Sequence, residues 1–67
     1  MQMNINFAKN LKNLRTESKM SQKTLAELLG VNQRTISAWE KKIAEPSLAY
    51  LAKLCDIFNE DFNSLLM

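Results

Sequence analysis

Chemistry in this chain has to be done without histidine and with a single thiol, Cys55. A nucleophile–base pair therefore lacks its commonest base, and the one glycine, Gly30, cannot build a glycine-rich phosphate loop. The usual structural zinc sets cannot be assembled either. Glu60 and Asp61 are adjacent and read as charge at a helix start, not as an acid–base pair. No catalytic residue, metal site or cofactor is expected. What remains is non-covalent chemistry, concentrated between Gln22 and Lys42. Carboxamides, hydroxyls and cations gather there: Gln22, Asn32, Gln33, Arg34, Thr35, Ser37, Lys41 and Lys42. Such groups make paired hydrogen bonds to planar edges and neutralise anions.

The charge distribution is lopsided in the same direction. The net charge is +2. Residues 1–42 hold eight basic side chains against Glu17, Glu27 and Glu40, while residues 43–67 hold Lys53 against Glu45, Asp56, Glu60 and Asp61. A polyanionic partner on the basic side accounts for this, and so does a merely solvated surface.

The elements that must position these groups are short helices. The 67 residues make one domain, residues 1–67, with a small core. No strand pattern is present. Phe7, Leu11 and Leu14 share one face of a first helix that starts near Asn4 or Asn6 and fades around Glu17 to Lys19. Lys9, Lys12, Asn13 and Lys19 lie off that stripe and read as solvated. Ser21 is an N-cap for a second helix, Gln22 to Leu29, with Leu25, Leu28 and Leu29 as its apolar face and Ala26 allowing close approach. Gly30 ends it, Val31 is buried in the turn, and Asn32 caps a third helix from Gln33 to about Lys41. Ile36 and Trp39 point inward from that helix, so Trp39 reads as core and not as a stacking platform. Pro46 keeps Ile43 to Pro46 a loop. Ser47 caps a fourth helix with Leu48, Leu51, Leu54, Cys55 and Phe58 on its stripe, and Cys55 reads as a small buried hydrophobe. Asn59 stops that helix, and Asp61 caps a short fifth one.

The unit helix–Gly30-Val31-Asn32–helix has the form of a helix-turn-helix. The stretch Ser21-Gln22-Lys23-Thr24-Leu25-Ala26-Glu27-Leu28-Leu29-Gly30-Val31-Asn32-Gln33-Arg34-Thr35-Ile36-Ser37-Ala38-Trp39-Glu40 resembles the Cro/C1-type (XRE-like) helix-turn-helix transcriptional regulators. Leu11-Lys12-Asn13-Leu14-Arg15, Pro46-Ser47-Leu48 with Leu51, Leu54 and Phe58, and Asp61-Phe62-Asn63-Ser64-Leu65-Leu66 extend the likeness over residues 7–66. The resemblance implies an all-α, compact five-helix lambda-repressor-like DNA-binding domain with its helix-turn-helix at helices 2 and 3. It implies a sequence-specific regulator, a repressor, reading a palindromic operator in double-stranded DNA through the major groove.

By the same resemblance Gln33, Arg34, Ser37 and Ala38 read bases. Gln suits adenine N6 and N7, Arg suits guanine N7 and O6, and the Ala38 methyl suits a thymine methyl. Arg34 as a phosphate clamp and Ala38 as a spacer are the other uses. Gln22, Asn32, Thr35, Lys41 and Lys42 are implied phosphate contacts, with Asn32 as a cap only as the alternative. Gln22 also braces the recognition helix. Arg15 and Glu40 are implied to pair, tying the first helix to the end of the third, direct DNA contact being the other use of Arg15. One position departs from the pattern: the family commonly has glycine where this chain has Lys42, so the loop Lys41 to Glu45 is expected to be shaped differently.

Phe62, Leu65, Leu66 and Met67 are the expected homodimer interface, since such proteins bind two half-sites about 34 Å apart. Phe62 and Leu65 closing the monomer core is the alternative. No apolar run approaches the ~20 residues that cross a bilayer, Met1 to Asn10 has no long apolar stretch of the signal-peptide kind, and a lone cysteine suits a reducing compartment. A cytoplasmic, nucleoid-associated chain without membrane contact or small-molecule effector is expected. Two other readings remain open: an antitoxin or adaptor whose main partner is a protein, and a restriction-modification controller.

Overall fold

Short amphipathic helices can bury their stripes only against one another, and the computed structural model, which describes residues 6–67, does this with helices alone. Among the described residues there is no strand. The order is α1 (Phe7–Glu17), α2 (Gln22–Leu29), α3 (Gln33–Glu40), α4 (Leu48–Phe58) and α5 (Phe62–Leu66). Asn4 lies outside the described residues, and Asn6 immediately precedes α1.

Four starts are set by side chains that accept from the free amides of the first turn. Ser21 Oγ accepts from the Thr24 amide (3.0 Å), Asn32 Oδ1 from Arg34 (2.8 Å), Ser47 Oγ from Tyr50 (3.4 Å) and Asp61 Oδ1 from Ser64 (2.7 Å). Each such cap is worth about 1 kcal/mol. Four ends share one device. Lys19, Gly30, Lys42 and Asn59 all have left-handed backbone, φ 57°, 73°, 64° and 55°. In each case the next amide reaches back into the last turn: Met20 to the Arg15 carbonyl (3.0 Å), Val31 to Ala26 (3.0 Å), Ile43 to Ala38 (2.9 Å) and Glu60 to Cys55 (2.9 Å). Carbonyls that would otherwise lack partners are thereby satisfied. The loop after α3 therefore keeps the left-handed closure that glycine usually supplies. Lys42 adopts it despite its Cβ, against the sequence expectation of a different shape, at a cost of about 1–2 kcal/mol.

Each helix contributes one fully buried branched residue to the centre: Leu11, Leu25, Ile36, Leu54 and Leu65. Phe7, Leu29, Leu51 and Trp39 surround them, and the Trp39 ring meets Tyr50 at 5.7 Å and 51°. Leu65, expected either at a dimer interface or closing the monomer core, closes the core and offers no surface to a second copy. Leu28 and Leu48 were expected to face inward, yet they are 57% and 72% exposed. In α2 the buried arc is Leu25, Leu29 and Ala26, so it is turned away from Leu28. Leu48 occupies the first turn of α4, beyond the neighbours that cover Leu51 and Leu54. Val31, Cys55 and Phe58 are half-buried.

α5 is held to α1 by amide side chains. Asn10 Nδ2 donates to the Leu65 carbonyl (3.0 Å) and to that of Ser64 (3.3 Å), and Asn6 Nδ2 donates to Met67 (2.8 Å).

The Asp61 cap carries a pH signature. The Ser64 amide and hydroxyl both bond its carboxylate and hold its pKa below the ordinary value. A lowered native pKa stabilises the fold above the unfolded value, about 3.9, and that contribution disappears as pH falls through the native value. Thermal melting across the acid range should therefore show a smaller acid loss for Asp61→Asn, which keeps an acceptor, while Asp61→Ala melts lower at every pH.

Candidate nucleic-acid interface

α3 has two inward residues, and everything opposite them is free to meet a ligand. With Ile36 and Trp39 buried, helical spacing puts Arg34, Ser37, Ala38 and Lys41 on the outer side, with Gln33 at its edge. Gln33, Arg34 and Lys41 are exposed, and Ser37 and Ala38 are half-buried. Long polar side chains thus flank a shallow strip of small ones, a shape that lets a helix lie close against a surface. Thr35 is half-buried on the flank beside Trp39. Asn32 is exposed at the start of α3, and its carboxamide oxygen is committed to the Arg34 amide, which leaves its Nδ2 as the group it can offer.

The angle of α3 is set at both ends. At its start, Gly30 turns the chain through left-handed backbone (φ 73°, ψ 32°) and Asn32 caps the first turn. At its end, the Glu40 carboxylate binds two other helices. Arg15 donates through Nε to Oε2 (2.6 Å) and through Nη2 to Oε1 (3.1 Å), and Gln22 donates through Nε2 to the same Oε1 (3.1 Å). The third arm of the guanidinium, Nη1, donates to the Met20 carbonyl (2.8 Å). The side chains are 11% and 5% exposed, so the pair is nearly desolvated. Among the described residues no buried side-chain nitrogen or oxygen lacks a partner. Arg15 is thus occupied by structure, and one face of Gln22 is spent on the brace.

The cations of this half all lie at the surface except Arg15. Lys23, Arg34, Lys41 and Lys42 are exposed, as are Lys9, Lys12 and Lys19 on and after α1. The carboxylates Asp56, Glu60 and Asp61 cluster at the α4–α5 turn. Together with burial, which is the larger cause, they push the Cys55 thiol up, so it is a poor nucleophile. Of the expected interface residues at the C-terminus, Phe62 is 41% and Met67 66% exposed, and Leu66 is half-buried. The sequence reading missed Asn10 and Met20. Asn10 sits beside the apolar stripe of α1, a position from which a short amide reaches a neighbouring helix. Met20 enters the brace through its backbone carbonyl, which no residue type announces.

This geometry defines a helix-turn-helix domain. The helix-turn-helix family model of the Cro/C1 type matches residues 11–65. The chain belongs to that family of DNA-binding transcriptional regulators. It is 44% identical over 48 residues to a candidate HTH-type transcriptional regulatory protein of Methanosarcina acetivorans, covering 72% of this chain but only 15% of that protein. It resembles the restriction-modification controller protein C.AhdI from Aeromonas hydrophila with TM-score 0.82 and 30% identity, over 91% of this chain and 92% of that one. It also superimposes on part of hydroxypropylphosphonic acid epoxidase from S. wedmorenis, with TM-score 0.86 and 30% identity, over 98% of this chain and 35% of the enzyme chain. That likeness is one of a helical domain and does not show catalysis. No helix among the described residues is long and apolar enough to cross a membrane.

Breaking the brace from one side strands a nearly buried guanidinium. Glu40→Gln should cost roughly 3–5 kcal/mol in urea unfolding. Arg15→Met combined with Glu40→Leu should recover much of that loss, because no uncompensated charge is then left inside.

Proposed function

We propose that the chain reads a specific sequence in double-stranded DNA by laying the outer face of α3 in the major groove. The observation that carries this reading is the division of α3. Ile36 and Trp39 are fully committed to the core, while Gln33 and Arg34 stand exposed at the leading end beside the small residues Ser37 and Ala38. Gln33 pairs with adenine and Arg34 with guanine, each worth about 1–3 kcal/mol of discrimination. Gln22 through its second amide hydrogen, Asn32 through Nδ2, Thr35 and Lys41 grip phosphates, which set register without reading sequence.

The domain acts as a homodimer on a two-fold-symmetric operator and represses by occupying it. One α3 covers too few base pairs to be selective, and Phe62 and Met67, with Leu66 at their edge, offer apolar area for a second copy. Such a regulator works at the nucleoid in the cytoplasm, without an effector. A restriction-modification controller role is the second reading. It is favoured by C.AhdI being a controller that a domain of this size covers over 92% of its length.

Selection from a random duplex library should return a motif of two inverted half-sites for the natural chain. Gln33→Ala/Arg34→Ala should lose or relax that motif while keeping its fold; an unselective natural chain would refute the reading. In sedimentation velocity, Phe62→Asp should shift a dimer toward monomer with little change in helical content, and an unchanged dimer would exclude α5 as the interface.

A further inference from the structure

Four of the helices start on a side chain that caps their own first turn, and α1 does not. Asn6 stands at its N-cap position with helical backbone (φ −83°, ψ −9°), and its side chain makes no cap bond. The amide is spent elsewhere: Nδ2 donates across to the Met67 carbonyl at 2.8 Å. One turn on, on the same face of α1, Asn10 Nδ2 donates to two consecutive carbonyls, Leu65 at 3.0 Å and Ser64 at 3.3 Å. α5 therefore runs back along α1, with residues 64 and 65 beside Asn10 and residue 67 beside Asn6.

These bonds go to groups that a five-residue helix leaves open. The last four carbonyls of a helix have no partner within it, and a helix this short is not stable in water by itself. The start of α5 is fixed by the left-handed turn at Asn59 and the Asp61 cap. Leu65, fully buried, sets how close α5 lies to the core. Asn10 fixes the far end in rotation, because one amide nitrogen reaches two neighbouring carbonyls over only a narrow range of orientations. That rotation decides where the other side chains of α5 point. Phe62 and Leu66, four apart, share a face beside Leu65. Phe62 and Met67 are exposed and Leu66 is half-buried.

We propose that Asn10 is a positioning residue for self-association: it sets α5 so that Phe62, Leu66 and Met67 face a second copy of this chain. The inference rests on the α5 homodimer proposed above. A second copy is the occupant that the dimensions favour. The domain measures 28 × 23 × 19 Å, and half-sites one helical turn apart stand about 34 Å from centre to centre. Two copies on one operator are therefore neighbours within side-chain reach. Three apolar side chains are few for an interface, and so small a contact cannot also carry the cost of ordering α5 as it forms. The amides of α1 order it beforehand.

Sedimentation equilibrium on the full chain tests this. Asn10→Leu and Asn10→Asp keep the approximate size of the side chain and remove the donor, one for an apolar group and the other for a second acceptor. Each should raise the dimer dissociation constant about tenfold, at a temperature where the near-ultraviolet signal of Trp39 in the core is unchanged. A merely structural role would lower the melting temperature without moving that constant. In a Phe62→Ala background the face that Asn10 positions is already cut back, so the same substitutions should have a much smaller effect. Either variant that folds decides the matter. Natural dimer strength in a folded variant, a full effect that persists beside Phe62→Ala, or loss of the Trp39 signal in both variants would each overturn the positioning role and leave the α5 interface standing. A natural chain that stays monomeric, or a dimer indifferent to Phe62→Ala, would overturn that interface and this inference together.

Discussion

The placement of α3 depends on a single carboxylate. Two buried residues, Ile36 and Trp39, fix how far α3 stands from the core, and the Gly30–Asn32 turn holds its start, which leaves its far end to be fixed. Glu40 fixes that end by accepting from α1 through Arg15 and from the start of α2 through Gln22. An apolar pair of similar volume would stabilise the domain as well or better, since desolvating two charges offsets most of their attraction. What an apolar pair lacks is direction. A guanidinium and a carboxylate joined by two parallel bonds have one good relative orientation, and here that orientation fixes the outer face of α3. In a domain with so small a core, a geometric constraint of this kind does what a larger hydrophobic interface does elsewhere.

Most of the architecture was legible because local signals agreed with one another. Ser21, Asn32, Ser47 and Asp61 each precede an apolar periodic stretch, and each caps the helix that follows. Gly30 and Asn59 mark stops by their conformational tolerance. The exposed face of α3 follows from Ile36 and Trp39 once their burial is granted. The pairing of Arg15 with Glu40 is different in kind. Nothing in spacing brings residues 25 positions apart together, and only the resemblance to a family named them as partners. Lys42 was misjudged for the opposite reason. Propensity argues against left-handed lysine, but the apolar or backbone anchors on either side over-determine the turn.

The errors over Leu28 and Leu48 share one cause. Periodicity reports that a residue lies on an apolar arc, yet the number of neighbours available decides whether it is covered. α2 packs through its smallest residue, Ala26, which shifts the buried arc by about one residue and leaves Leu28 outside. The first turn of α4 overhangs the core, so Leu48 remains 72% exposed despite its place on the stripe. α5 has five residues, and its single fully buried member, Leu65, is enough to close the end of the bundle. The apolar surface left for self-association is correspondingly small.

That economy sets the two proposed interactions against each other in salt. In the proposed DNA complex the basic half meets phosphate, so affinity there falls as ionic strength rises. The proposed interface on α5 is bordered by Glu60 and Asp61, with Asp56 nearby on α4. In a symmetric pair these carboxylates approach their own copies, and salt screens that repulsion over roughly 8–10 Å. Dimerisation through α5 is therefore favoured by the same salt that weakens the grip on DNA. Binding of two subunits to one operator couples both steps, and its salt dependence is shallower than the cations around α3 alone would produce. On the proposed function, the charge asymmetry visible in the sequence would serve the domain twice: it would orient the approach to DNA, and it would moderate how steeply occupancy responds to ionic strength.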